Sequence, residues 1–131
     1  MEPDLALKPV LVDSDVLIEV LRQRNPDILN RWADLSRGRA LVLYSPVSAA
    51  EIWHGLRDSE RPSVEALFAH MTCVPIDAEI GRKAGDYLRR FRPSHGLEIA
   101  DALIAATAVL HTVPLWTRNK RHYPMKELRF F

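Results

Sequence analysis

Three acidic side chains stand in apolar surroundings that ordinarily exclude a charge. Asp101 lies within residues 99–110, where the only other polar side chain is Thr107. The alanines and leucines of this stretch favour a helix that is apolar on every face and therefore buried. An ionised carboxylate in such a place costs several kcal/mol unless a cation or hydrogen bonds compensate it. Asp13 and Glu51 also adjoin apolar segments, so the three acids are candidates for one chemical site.

Asp13 has both a chemical and a structural interpretation. It directly follows the apolar run 10–12 and precedes Ser14 and Asp15. An oxygen-bearing side chain at the start of a helix accepts hydrogen bonds from free backbone amides. We expect Ser14 or Asp15 to cap the following helix, which leaves Asp13 available for chemistry at the end of a strand.

Glu51 has a stronger structural alternative, and Asp101 has none. The pattern Ser48-Ala-Ala-Glu51 is that of a capping box, in which the glutamate reaches back to the amide of the cap residue. Taken alone, this pattern favours the box over a catalytic role. Asp101 has no such local explanation, because Glu98, one turn earlier, only adds a like charge.

Carboxylates from three separate segments would suit a hard divalent cation. Mg²⁺ and Mn²⁺ prefer carboxylate and water oxygens, and Mg²⁺ usually keeps several waters beside one or two protein carboxylates. Without a metal, clustered carboxylates repel and at least one takes up a proton. Zinc is not expected, because the sequence has no Cys-x-x-Cys or His-x-x-x-His pair. The acids therefore predict a Mg²⁺ or Mn²⁺ site formed by Asp13, Glu51 and Asp101.

Composition restricts the class of protein. The 131 residues fit one domain, and a hydrophobic content of 47% with 27% charged residues is that of an ordinary globular protein. The longest apolar run is too short to span a bilayer, and the first residues lack the apolar core of a signal peptide. The single cysteine, Cys73, cannot form an intramolecular disulfide. These features predict a cytoplasmic protein with no membrane partner.

Basic side chains cluster in two segments although the net charge is only +1. Such clusters are either solvated helix faces and loops or a surface that binds nucleic-acid phosphates, and charge alone does not decide between them. The first cluster comprises Arg82, Lys83, Arg89, Arg90 and Arg92, and the second comprises Arg118, Lys120 and Arg121.

Apolar runs of strand length alternate with helical patterns along the chain. Strands are expected at residues 9–12, 40–44, 72–76 and 113–116, with a short edge strand at 129–131. Helices are expected at residues 14–24, 26–37, from Ser48 onward, and at 63–70, 77–91 and 99–110. This alternation predicts an α/β fold, a three-layer α/β/α sandwich with a mostly parallel sheet of four to five strands. Residues 1–8 form a short tail in this interpretation, and residues 9–131 form a single domain.

Four segments together resemble the PIN-domain ribonucleases, and within them the VapC toxins of type II toxin–antitoxin pairs. They are residues 12–18 (VDSDVLI), 48–55 (SAAEIWHG), 99–107 (IADALIAAT) and 115–123 (LWTRNKRHY). Each segment is short, but their order and spacing match those of the family. The resemblance implies a PIN-like fold and metal-dependent hydrolysis of RNA that leaves a 5′-phosphate and a 3′-hydroxyl. It also implies a VapB-like antitoxin partner and a homodimer.

The resemblance also implies roles for individual residues. Asp13, Glu51 and Asp101 match the family's metal-binding acids. Where many PIN domains carry one or two further aspartates, this chain has Asn119 and His122, so whether one metal or two are bound stays open. Asn119 is expected to contribute to catalysis, since its amide can accept from water or donate to a carboxylate. Supporting contacts near the metal are expected from Ser14, Asp15, Thr117 and His122, and contacts to RNA phosphates from Arg118, Lys120 and Arg121.

Two other functions stay open. Asn119 and His122 are also compatible with a catalytically weak PIN-like module that binds RNA or an antitoxin. The segment from Asp13 to Val16 fits the Asp-x-Asp-x-Val start of haloacid-dehalogenase-like phosphatases, but that family needs a later pair of acids, and Asp101 stands without an adjacent acid.

Overall fold

The sheet has four parallel strands with β1 in its interior. The computed structural model describes residues 8–131, so all of the predicted tail except Lys8 lies outside the described residues. The strand order is β3-β2-β1-β4, and Leu115 of β4 also forms a single parallel bridge with Phe130. The strands are β1 (Lys8–Val12), β2 (Ala40–Tyr44), β3 (Thr72–Cys73) and β4 (Leu115–Trp116).

Within the described residues, six α-helices cover the two faces of this sheet, which confirms the predicted three-layer α/β architecture. Successive residues of a strand point to opposite faces. Leu11 therefore packs with α5 and α6 residues, whereas Val10 and Val12 pack with residues of α1 to α4. The helices are α1 (Ser14–Arg22), α2 (Pro26–Arg37), α3 (Pro46–Gly55), α4 (Arg61–Ala69), α5 (Ala78–His95) and α6 (Ile99–Leu110).

The predicted cap of α1 was wrong. Asp13 itself is the N-cap residue, and its side chain accepts a hydrogen bond from the backbone amide of Ser14 at 2.8 Å. The helix also stops earlier than expected, at Arg22, because Gln23 adopts a left-handed conformation with φ 54°. Asp13 therefore ends β1 and begins α1 at the same time.

The helix start expected at Ser48 was wrong, and the capping-box alternative for Glu51 is excluded with it. This helix begins at Pro46, and the Oγ of Ser45 accepts from the backbone amide of Val47 at 3.1 Å. Proline is well suited to the first helical position, where its missing N–H is no loss. Ser48 consequently lies inside the helix and is fully buried, so Glu51 has no capping role.

Other element ends differ by a few residues from the sequence-based expectation. β3 stops before Pro75, which cannot donate to a sheet ladder. α5 continues past Phe91 to His95, and Gly96 ends it with φ 61°. α6 is not buried on every side, since Ile99 is 61% exposed. None of the helices within residues 8–131 is long and apolar enough to cross a membrane.

Candidate active site

Asp13 lies at the centre of the site, at the carboxyl end of β1. Its backbone amide donates to the carbonyl of Trp116 at 2.9 Å, which ties β1 to β4. Its side chain is buried. Oδ1 accepts from the Ser14 amide at 2.8 Å, and Oδ2 accepts from two hydroxyls, Thr117 Oγ1 at 3.0 Å and Tyr123 OH at 2.6 Å. The carboxylate is therefore held in one orientation by three donors.

Asp101 approaches the same tyrosine from α6. Its Oδ1 lies 3.4 Å from the Tyr123 hydroxyl, and its Oδ2 lies 3.8 Å from Nδ1 of His122. The side chain is 26% exposed, so the expectation of a fully buried charge was too strong. Asp101 also occupies the first turn of α6, where the helix dipole favours a negative charge. The helix start thus supplies the local compensation that the sequence pattern did not reveal.

Glu51 joins the site through Ser14. The Ser14 hydroxyl donates to Glu51 Oε1 at 3.3 Å, although Glu51 itself is an exposed residue of α3. Desolvation and then the negative charge of Asp13 raise the pKa of Glu51, and Asp101 adds to the effect. Glu51 is therefore electrostatically coupled to both aspartates.

Asp101 and Asp15 also have raised pKa values. For Asp101 the causes are desolvation first and the charge of Asp13 second, with His122 acting in the opposite direction. For Asp15 the same two causes raise the pKa from 3.8 to about 6. The Oδ1 of Asp15 is buried and has no hydrogen-bond partner among the described residues. The site thus concentrates more negative charge than its surroundings compensate.

The loop after β4 closes the site on one side. The Arg118 amide donates to Asp15 Oδ2 at 3.1 Å, and the Asn119 amide donates to Thr117 Oγ1 at 3.1 Å. The side-chain amide of Asn119 lies 3.2 Å from Nε2 of His122. Within residues 8–131 the Asn119 side chain makes no hydrogen bond to a carboxylate, and its amide contacts His122 instead.

The three predicted phosphate ligands differ in their surroundings. Arg118 Nη1 contacts Oε1 of the buried Glu19 at 2.9 Å, and Arg24 contacts the same oxygen at 3.0 Å. Burial would raise the pKa of Glu19, but these two arginines lower it. Lys120 and Arg121 are exposed on a short 3-10 turn, Lys120–His122. Lys120 and Arg121 form no ion pair within the described part of the chain, whereas Arg118 is paired with Glu19.

The carboxylate oxygens of the site fit a cation such as Mg²⁺, which needs few protein ligands. In the described range, residues 8–131, no three His, Cys, Asp or Glu side chains converge on one point as a ready-made cage. Mg²⁺, however, usually takes one or two carboxylates and fills its other positions with water. The carboxylates of Asp13 and Asp101 both contact the Tyr123 hydroxyl. A positive ion would reduce the repulsion between the acids, and it would compensate the charge of Asp15, whose Oδ1 has no hydrogen-bond partner among the described residues.

Sequence reasoning missed two residues of this neighbourhood. Tyr123 closes the fourth segment that resembled the family, but nothing in its spacing shows that its hydroxyl turns toward Asp13. In the sequence, Glu19 resembles any polar residue of an amphipathic helix. Only the packing of α1 against the loop after β4 makes it a buried partner of Arg118.

Comparisons with known proteins identify the family of this chain. The family model of the PIN domain matches residues 10–128. Ribonuclease VapC10 of Mycobacterium tuberculosis is 41% identical over 119 residues, which cover 90% of this chain and 88% of the relative. Ribonuclease VapC19 of the same species is 34% identical over 116 residues, covering 88% of this chain and 92% of the relative.

A solved structure shows the same fold. VapBC2 from Rickettsia felis, bound to a DNA fragment from its promoter, superposes with a TM-score of 0.77 at 18% identity and covers 94% of this chain and 97% of that chain. The predicted resemblance is confirmed, and the haloacid-dehalogenase alternative is not supported. The chain belongs to the PIN-domain family and, within it, to the VapC ribonucleases.

Proposed function

We propose that this protein is a divalent-metal-dependent endoribonuclease and the toxin of a toxin–antitoxin pair. The observation that carries the proposal is the meeting of Asp13 and Asp101 at the Tyr123 hydroxyl, with Glu51 attached through Ser14. The site lies at the carboxyl ends of parallel strands, where α/β folds bind their ligands. Its relatives in sequence are named ribonucleases.

The acids would hold the metal, and their surroundings prepare them for it. Asp13, Glu51 and Asp101 would bind Mg²⁺ or Mn²⁺, which supplies the positive charge that activates water and stabilises the developing charge on the phosphate. Ser14 and Thr117 fix the orientation of Asp13. The raised pKa values of Glu51 and Asp101 mean that a cation competes with protons at these groups.

Exposed cations beside the acids would bind the RNA. Lys120 and Arg121 lie three and four residues after Thr117 and carry no ion pair in the described range. A cleft of about 350 Å³ opens next to Asp101 and would admit part of the substrate chain; it is lined by His95, Gly96, Leu97, Glu98, Asp101 and His122. Sequence preference would depend on how unstacked bases fit this surface.

An antitoxin of the VapB type is the partner that we infer. The structural neighbours include VapBC2 of Rickettsia felis and FitAB, which is 25% identical with a TM-score of 0.76. Homodimerisation and a cytoplasmic location are further parts of the proposal, and they rest on the family. Size-exclusion chromatography with light scattering, performed with and without the product of a neighbouring antitoxin gene, tests both associations.

The substitution Asp101→Asn tests the nuclease assignment. We expect RNA cleavage with Mg²⁺ or Mn²⁺ to fall by at least about 100-fold, because stabilisation by a metal charge is worth several kcal/mol. The metal-free melting temperature should be equal or higher, since one repelling charge is removed. Asp86→Asn on the exposed face of α5 is the matched control and should cleave as wild type. Mapping the RNA ends checks for 5′-phosphates.

The possible outcomes separate the alternatives. Equal cleavage by wild type and Asp101→Asn would show that the nuclease assignment is wrong. Binding without cleavage by both, across a broad RNA panel, would favour the catalytically weak RNA-binding module, which the Asn119–His122 contact keeps as the second candidate. Unfolding of Asp101→Asn would make Asp101 a structural residue.

A further inference from the structure

We propose that Tyr123 is a positioning residue that, together with Thr117, fully occupies one oxygen of Asp13 and leaves the other oxygen for the cation. The inference rests on the proposed metal-dependent function. Tyr123 is not one of the acidic residues that the sequence predicts for this site.

The hydrogen bonds of Asp13 divide unequally between its two oxygens. An ionised carboxylate offers about four acceptor positions, two on each oxygen. Oδ2 accepts from the hydroxyls of Thr117 and Tyr123, at 3.0 Å and 2.6 Å. Among the described residues, 8–131, Oδ1 accepts only from the Ser14 amide, at 2.8 Å. The acceptor position of Asp13 that remains open is therefore on Oδ1.

The hydrogen of the Tyr123 hydroxyl is directed toward Asp13. A phenol carries one hydrogen, and Asp13 Oδ2 at 2.6 Å is much closer than Asp101 Oδ1 at 3.4 Å. The ring is buried and packs edge-on against Phe130, with 6.4 Å between the ring centroids. The packing of the ring fixes the position of the hydroxyl, which therefore donates to Asp13.

The same oxygen also sets the spacing of the two aspartates. Asp13 and Asp101 come from separate elements, and Tyr123 OH lies between their carboxylates. Rotation of a carboxylate about its terminal bond is soft. Without the hydroxyl, Asp13 would have to be ordered when the cation binds, and loss of a hydrogen-bonding partner behind a metal ligand typically costs about 10- to 100-fold in affinity or activity.

Mn²⁺ binding to Tyr123→Phe and Tyr87→Phe tests the inference. Tyr87 is an equally buried tyrosine whose hydroxyl donates to the carboxylate of Glu127, outside the site, so its substitution makes the same chemical change elsewhere. Titration of the full chain, followed by electron paramagnetic resonance of free Mn²⁺, should give a dissociation constant about 10-fold or more higher for Tyr123→Phe. Tyr87→Phe should bind as wild type. Raising Mn²⁺ should restore RNA cleavage by Tyr123→Phe, because the defect is one of affinity.

Each other result would count against the inference. An unchanged or lower dissociation constant in Tyr123→Phe, with wild type binding Mn²⁺, would overturn this inference alone and leave the proposed function standing. A wild-type protein that binds no Mn²⁺ would overturn both. If circular dichroism shows Tyr123→Phe to be unfolded, Thr117→Val removes the other hydroxyl from Oδ2. Unchanged Mn²⁺ affinity in that variant would overturn the inference as well.

Discussion

Asp15 sits in the environment least suited to a negative charge among the acids of the site. Its Oδ1 is buried without a partner in the described residues, and its Oδ2 accepts from the Arg118 amide at 3.1 Å and from the Thr117 hydroxyl at 3.4 Å. Desolvation and the charge of Asp13 raise its pKa to about 6. Since the pKa in the folded state lies above the ordinary value of 3.8, ionisation of Asp15 destabilises the fold. The stability that protonated Asp15 contributes to the fold is fully present below pH 3.8 and is lost as the pH rises through about 6.

The substitution Asp15→Asn should therefore stabilise the metal-free protein near neutral pH. We expect a melting temperature above that of wild type at pH 7.5, with the gain shrinking toward zero as the pH falls to about 4. Thermal unfolding in a chelating buffer measures the difference. Asp27→Asn, at the equivalent position of α2 but exposed, should bring no such gain. A gain for Asp15→Asn that does not depend on pH would contradict the electrostatic explanation.

The candidate site was partly predictable at the level of residues. Asp13, Glu51 and Asp101 could be assigned together because each acid adjoins an apolar element and strand ends gather at one edge of a parallel sheet. The hydroxyl of Tyr123 could not be assigned, since its role depends on a side-chain direction set by the packing of the loop. The metal-binding roles of the three acids stay predictions.

At the level of elements, α3 offers a direct test of which serine begins the helix. Ser45→Ala removes the cap from the Val47 amide and should lower the free energy of unfolding by about 1 kcal/mol. Ser48→Ala should change it little or raise it, because the buried Oγ of Ser48 has no hydrogen-bond partner in the described part of the chain. Urea denaturation of both variants gives the two values. A larger loss in Ser48→Ala would restore the capping box.

Apolar periodicity predicted which elements exist, but single residues decided where they end. Apolar runs of strand length, alternating with helical patterns, were enough to predict the parallel sheet and its helices, which the structure confirms. The boundaries failed where two local signals competed. Helix α3 begins at Pro46 and not at Ser48. Helix α1 ends at Arg22 because the next residue, Gln23, has a left-handed conformation. Such choices depend on the geometry of one turn, which average propensities do not resolve.

At the level of the whole molecule, the protein is nearly neutral, but its charges are unevenly distributed between an acidic site and an exposed basic turn, Lys120–His122. The net charge is +1, yet Lys120 and Arg121 are exposed on the turn whose last residue, His122, lies 3.8 Å from Asp101. Binding to single-stranded RNA should therefore weaken with salt, by a slope of about 0.7 per phosphate contact in a plot of log K against log salt concentration. Arg118, paired with Glu19, is expected to contribute less.

Arg121→Gln in the Asp101→Asn background isolates this contribution. We expect the slope to decrease by about 0.7 and the affinity to fall similarly for different RNA sequences, since a phosphate contact carries no base specificity. Fluorescence anisotropy at several salt concentrations measures the slope. Arg37→Gln is the control, because Arg37 is exposed on α2 and pairs with Asp34. Equal slopes in both variants would remove Arg121 from the RNA surface.

The pairing of β1 with β4 has a consequence for the timing of biosynthesis. The Thr117–Asp13 hydrogen bond joins residues 104 positions apart, and β1 receives its β4 neighbour only after α5 and α6 have been made. Because a protein leaves the ribosome N-terminus first, a growing chain that already displays all three acids still lacks Thr117 and Tyr123. We therefore expect the growing chain to be inactive as a ribonuclease until synthesis has passed Tyr123 and β4 has docked.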